Sequence, residues 1–137
     1  MTIFLEPLID RVRLGLAAVP QNMIDDPQIY QALKDSQKFL DQIKDTTRIT
    51  EDYEKTCLTM LAVYYAYVGY SSLATRDLGN VPEAAVLLVD TYRSIALAFL
   101  QPISVFPLNP DLTINTASMT TMRGLAFAMS QSFIEDD

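Results

Sequence analysis

Hydrophobic positions recur along this chain with helical spacing in three successive stretches, each bounded by a proline, a glycine or a polar link. In the first, Ile29, Leu33, Ser36, Leu40 and Ile43 follow one another at alternating intervals of four and three, with Lys34, Lys38, Asp41 and Lys44 mainly off that line. Such spacing places one apolar stripe on one face and predicts an amphipathic helix over about 26–45. Asp26-Pro27 reads as its start, an N-cap acid followed by proline at the first helical position. Thr46 to Thr50 is a polar link. Beyond it, Glu51, Asp52 and Glu54 suit the positive end of a second helix, over about 50–78. That helix carries two adjacent stripes: Tyr53, Cys57, Met60, Tyr64, Tyr67 and Ser71, and beside them Leu58, Leu61, Tyr65, Val68 and Ser72. A helix apolar on two adjacent faces is expected to be central, with neighbours on more than one side. Gly79-Asn80 reads as its end. Pro82 opens a third helix to about 101, with Ala85, Leu88, Tyr92, Ile95 and Phe99 as its stripe. A shorter N-terminal helix is expected within 2–18, from Leu5, Leu8, Ile9, Val12 and Leu16.

After residue 101 the pattern breaks. Pro102, Pro107 and Pro110 interrupt any helix, and Leu108-Asn109-Pro110-Asp111-Leu112 reads as a type I turn with proline in its second place. Thr113 to Thr121 is polar enough to be extended, and Met122, Leu125, Met129 and Phe133 suit a final short helix. The expected fold is therefore all-α. A helical bundle occupies 1–101, with three main helices and the short N-terminal one, and an extended, charge-poor segment occupies 102–137.

Charge is distributed very unevenly. Residues 94–134 hold only Asp111 and Arg123 as charged side chains, against twenty-two in residues 1–93. Exposed apolar surface drives association, so a segment this poor in charge needs a cover. Residues 94–101 complete a bundle helix. The remainder is the expected contact surface, with Phe106, Leu108, Leu112, Ile114, Met119, Met122, Arg123, Phe127, Met129 and Phe133 as its candidate residues. Flexible methionines at 119, 122 and 129 suit an adaptable interface. Tyr64, Tyr65, Tyr67 and Tyr70 admit two readings, as rings at the edge of the bundle core or as an interface.

Composition excludes several chemistries. The 137 residues include no histidine, which removes the commonest general base and the commonest transition-metal ligand. Cys57 is the single cysteine and lies beside Leu58, Met60 and Leu61, the setting of a buried structural thiol. No pair of carboxylates lies in an apolar setting suited to acid–base work, and no glycine-rich phosphate loop occurs. The expectation is a protein that is not an enzyme and uses no cofactor or metal. A net charge of −7 argues against neutralising nucleic-acid phosphates, although an acidic protein can line a passage through which DNA slides. Glu6 and Asp10 interrupt any secretory signal at the N-terminus. Thr56 to Thr75 is uncharged and long enough to span a bilayer, but its tyrosines run through the centre, where a bilayer disfavours them. A central helix of a soluble bundle, with no membrane partner, is the expectation.

Three strings carry a resemblance: Ile29-Tyr30-Gln31-Ala32-Leu33-Lys34-Asp35-Ser36, Ala62-Val63-Tyr64-Tyr65-Ala66-Tyr67, and Leu97-Ala98-Phe99-Leu100 followed by Pro107-Leu108-Asn109. With the helix order and lengths over about 26–112, they make the chain resemble the head–tail adaptor (connector, head-completion) proteins of tailed bacteriophages. The resemblance implies a structural virion protein of the neck: an α-helical protomer in a homo-oligomeric ring, often of twelve copies. Such a ring joins the portal protein to neck and tail proteins, and DNA passes through it without sequence-specific binding. It implies that segment 102–137 clasps neighbours or portal, and it leaves the helix at 2–18 unmatched. Two alternatives come from other classes. One is a small holin-like membrane protein spanning at 56–75. The other is a ligand-binding bundle with a pocket at Tyr64 and Tyr67.

Overall fold

Asp25, one residue before the expected cap, starts the first long helix. Its carboxylate accepts the Gln28 backbone N–H at 2.9 Å while the Gln28 side chain accepts the Asp25 N–H at 2.9 Å. This reciprocal box satisfies two groups that a helix start would otherwise leave orphaned, and it puts Pro27 in the first turn, where its missing N–H costs nothing. Asp26 is thereby freed from capping and pairs with Arg13. The computed structural model of the chain describes residues 3–17, 23–78 and 83–115, and side chains at 3–17, 23–71 and 87–115.

The architecture is all-α. A 3₁₀ turn, Glu6–Leu8, leads into α1, Ile9–Gly15; the longer helices are α2, Asp26–Ile43, α3, Glu51–Leu78, and α4, Glu83–Leu100. A second 3₁₀ turn, Gln101–Ile103, follows α4. The expected ends of α3 at Gly79-Asn80 and of the next helix start at Pro82 lie outside the described residues. Among the described residues, no helix is long and apolar enough to cross a membrane.

Helix α2 buries its whole predicted stripe: Ile29, Leu33, Ser36, Leu40 and Ile43. Ser36 is tolerated there because its hydroxyl donates to the Ala32 carbonyl at 2.7 Å. Helix α3 is central, packing against α1, α2 and α4. Leu58, Leu61, Ala62, Val63 and Tyr67 are all buried in it, as two adjacent apolar stripes require. Helix α1 crosses α3 closely at Gly15. A Cβ there would lie 2.7 Å from a Val63 methyl carbon, and the Tyr67 hydroxyl donates to the Gly15 carbonyl at 2.8 Å. Only glycine leaves room for both contacts.

Helix α4 differs. It packs against α3, where Tyr92 stacks on Tyr67 with ring centroids 5.4 Å apart. Its buried positions are Ala96 and Leu100, whereas Ile95, expected in the stripe, is half-exposed. The chain next turns under α2. The Asp45 N–H donates to Ile103 and the Val105 N–H to Ile43, each at 2.7 Å, around an antiparallel bridge between Lys44 and Ser104. The residues just after 101 are thus hydrogen-bonded into the bundle.

Candidate functional site

The segment after Pro107 forms a tight antiparallel return. The Leu112 N–H donates to the Asn109 carbonyl at 2.9 Å, closing a turn with Pro110 in its second place, and a bridge pairs Leu108 with Ile114. Asp111 holds the turn by accepting the Thr113 N–H at 3.1 Å and the Thr113 hydroxyl at 2.5 Å. These hydrogen bonds from Thr113 hold the Asp111 carboxyl below its ordinary value. Asp45 is held low in the same way by Thr47, so both Asp-x-Thr triplets fold as side-chain-to-backbone turns.

Leu112 occupies the position after the turn with φ of 67°, a left-handed conformation that normally selects glycine. Its side chain explains why leucine stands there: it is only 4% exposed and packs in the chain's own core. Of the residues expected to make contacts, Leu112 is therefore spent inside the chain. Phe106, Leu108 and Ile114 are half-buried against the core. Met119, Met122, Arg123, Phe127, Met129 and Phe133 lie outside the described residues.

Two faces that the sequence pattern did not single out carry exposed large apolar side chains. On the first, Leu14 is 80% exposed and Phe4 77%, with Pro7 and Arg11 exposed beside them along α1 and the turn before it. On the second, Leu87 is 66% exposed on α4, and exposed Asp90, Thr91, Ser94 and Ala98 continue that side at helical spacing, with Val105 exposed beyond the helix. The two faces lie on separate elements, because α1 packs on α2 and α3 whereas α4 packs on α3. Single exposed leucines are ordinary. A helix with only Glu83, Asp90 and Arg93 as charges, open along one side, is not. The sequence signal was present in that scarcity of charge, but it began at residue 83 and was masked by the greater scarcity after 94.

The tyrosines divide. Tyr67 is core. Tyr64 and Tyr65 pack ring against ring at 5.7 Å. Tyr65 and Tyr70 line a groove of about 290 Å³ between α2 and α3, with Met23 and Ile24 at one side and Asp35 at the rim. Burial first, and then the nearby Tyr64 and Asp35, push the Tyr65 phenol up to about 12. Neither Tyr64 nor Tyr67 lines this groove.

Reactive chemistry is suppressed where the sequence placed its candidates. Cys57 is buried, its thiol pointing to the Phe99 carbonyl at 3.8 Å, and burial together with the charge of Glu54 raises it to about 12. A thiol so protonated at neutral pH is a weak nucleophile. The Tyr53 hydroxyl donates to the same Phe99 carbonyl at 2.6 Å, so α3 satisfies an orphan group in the last turn of α4. Glu54, read from sequence as a helix-start charge, is 1% exposed. Its carboxylate takes the Lys44 ammonium at 2.8 Å, and Lys44 also reaches Asp41 at 2.9 Å. Desolvation pushes Lys44 downward, but the hydrogen bonds to Glu54 and Asp41 outweigh it and leave the amine above its ordinary value. This pair is structural, locking the end of α2 to the start of α3. Among the described residues, no group of three or more acidic or thiol side chains is placed to hold a metal ion.

No protein-family model, no curated protein and no solved structure matches this chain.

Proposed function

We propose that the chain is a structural protomer, a head–tail adaptor of a tailed bacteriophage that assembles into a ring between portal and neck. The observation that carries this is the pair of uncovered apolar faces on separate elements, Leu14 with Phe4 and Leu87 with Val105. Two different patches on one protomer favour a head-to-tail contact, and repeated head-to-tail contacts close into a ring when the rotation allows it. Ring closure covers both faces on every copy, which a two-fold dimer through one face does not. The resemblance of residues 26–112 to the adaptor family supplies the biological setting, and the acidic surface suits a passage that repels DNA and lets it slide. Residues 103–105 are hydrogen-bonded to the bundle, so in this reading portal and neck contacts fall to other surfaces than the two faces that close the ring.

Particle mass, measured for the chain alone and with a purified portal ring, tests the proposal. A ring-sized particle, formed freely or only on the portal, is expected. A chain that remains monomeric at high concentration and ignores the portal would overturn it.

A further inference from the structure

The groove between the first half of α2 and the second half of α3 has a composition that specifies an occupant. Its lining includes three residues with almost no side chain, Ala32, Ala66 and Gly69, and a Cβ added at Gly69 would meet no heavy atom within 4 Å. Tyr65 and Tyr70 supply aromatic walls. Among the described residues that line it, Asp35 is the one that carries a charge. One Asp35 oxygen accepts from Gln31 at 3.0 Å, and among the described residues the other has no hydrogen-bond partner.

We propose that this groove takes a peptide segment of a partner protein presenting one aromatic or aliphatic side chain beside a lysine or arginine. The apolar side chain lies over Gly69 between the two tyrosines, and the cation meets Asp35 at the rim. Size favours a peptide anchor over a free ligand. At about 290 Å³ and open along one side, the groove falls at the bottom of the range of ligand pockets, about 300–1,000 Å³ and largely enclosing. A single anchor side chain in a recess is the usual form of an interface hot spot, and arginine gains further from the faces of tyrosine rings. The net charge of −7 steers a basic segment toward this chain. Phe4, Leu14, Leu87 and Val105 are not among its lining residues, so the proposal holds whether or not the ring forms.

The test is a titration of the full chain, followed by backbone amide NMR, with acetyl-Gly-Phe-Arg-Gly-amide and its Phe-Glu counterpart. Saturable shifts at Gln31, Ala66, Gly69 and Tyr70 are expected with the arginine peptide, and binding about tenfold weaker with the glutamate peptide. Asp35→Asn should bring the two peptides within about twofold of each other. Gly69→Leu places volume in the opening and raises helix propensity, so it should abolish the shifts without lowering the melting temperature. Absence of saturable shifts, equal affinity for both peptides, or unchanged binding by Gly69→Leu would overturn the proposal. So would phenethylammonium binding as tightly as the arginine peptide, which would make the groove a small-molecule site.

Discussion

Helices α2 and α4 have the same length, eighteen residues, yet they finish their surfaces in opposite ways. Helix α2 sinks one apolar stripe completely and turns lysines, aspartates and glutamines outward. Helix α4 is poorer in charge, buries only Ala96 and Leu100 among its described side chains, and leaves Leu87 in water beside Asp90, Thr91 and Ser94. The first is the surface of a protein that is complete as a monomer. The second leaves a large apolar side chain exposed, the surface that the proposed assembly would cover. One protomer thus contains a finished side and an unfinished side, and the unfinished side is where assembly is expected.

That contrast can be broken from either end. Leu33→Ala, on the finished side, should cost about 3 kcal/mol, since it removes a fully buried side chain and leaves a cavity. Chemical denaturation checks this, and a loss below about 1 kcal/mol would mean that the α2 seam is loosely packed. Glu54→Ala should cost less, about 1–2 kcal/mol, because Lys44 loses its buried partner and keeps the exposed Asp41. Replacing both charges, with Glu54→Leu and Lys44→Met, should recover most of the loss, whereas Glu54→Leu alone should recover less; equal recovery by the single variant would make the role of Glu54 purely steric.

Leu112 joins the two sides and carries an unusual ordering. Leu112→Ala loses burial and keeps the left-handed strain, whereas Leu112→Gly loses burial and relieves it. The glycine variant should therefore be the milder by about 1 kcal/mol, the reverse of the ordinary ranking of glycine and alanine. Equal or reversed stabilities in a urea melt would show that φ of 67° is not held in solution.

Alkaline pH probes both flanks of α3, the α4 side through Cys57 and the α2 side through Tyr65. The Cys57 thiol and the Tyr65 phenol have folded values near 12, above ordinary values of 9.0 and 10.0. The folded state then keeps protons that the unfolded chain releases, so stability is full below about pH 9 and falls as pH rises toward 12. Raised Lys44 acts in the same direction above its ordinary 10.5. Melting temperature should decline through this window, and Cys57→Val should flatten the decline at its lower end, near pH 9–10, about where only the thiol has begun to titrate. An unchanged slope in that variant would remove the thiol from the account. The smallest effect belongs to Leu87→Ala, which should shift protomer stability by no more than about 0.5 kcal/mol while weakening self-association.

Most of the fold was legible because it rests on periodicity. The α2 stripe was visible residue by residue, and the doubled stripe of α3 announced its central place. The cap moved from Asp26 to Asp25 because two adjacent aspartates both precede a proline, and only the reach of Gln28 decides between them. Glu54 was not legible as a buried charge: its partner is ten residues back, across a link whose path the sequence does not specify. Leu112 shows the limit most clearly. Its turn was readable from Pro110 and Asp111, but proximity to a charge-poor tail suggested a contact residue, while the long-range return onto the bundle buries it. The open faces of α1 and α4 depend on which helix covers which, and no local pattern encodes that. The groove depends on two alanines and a glycine meeting across helices, which is again a tertiary fact.

The most direct measurement is the mass of assemblies formed by Leu14→Lys, Leu87→Lys and an equal mixture of the two, on a portal ring and free. Each variant spoils one apolar face and keeps the other. With head-to-tail contacts, neither variant alone forms a ring, and the mixture yields pairs joined through the two intact faces, which stop there. A mixture that stays monomeric, or a single variant that still builds the wild-type particle, would contradict the claim that these two faces meet.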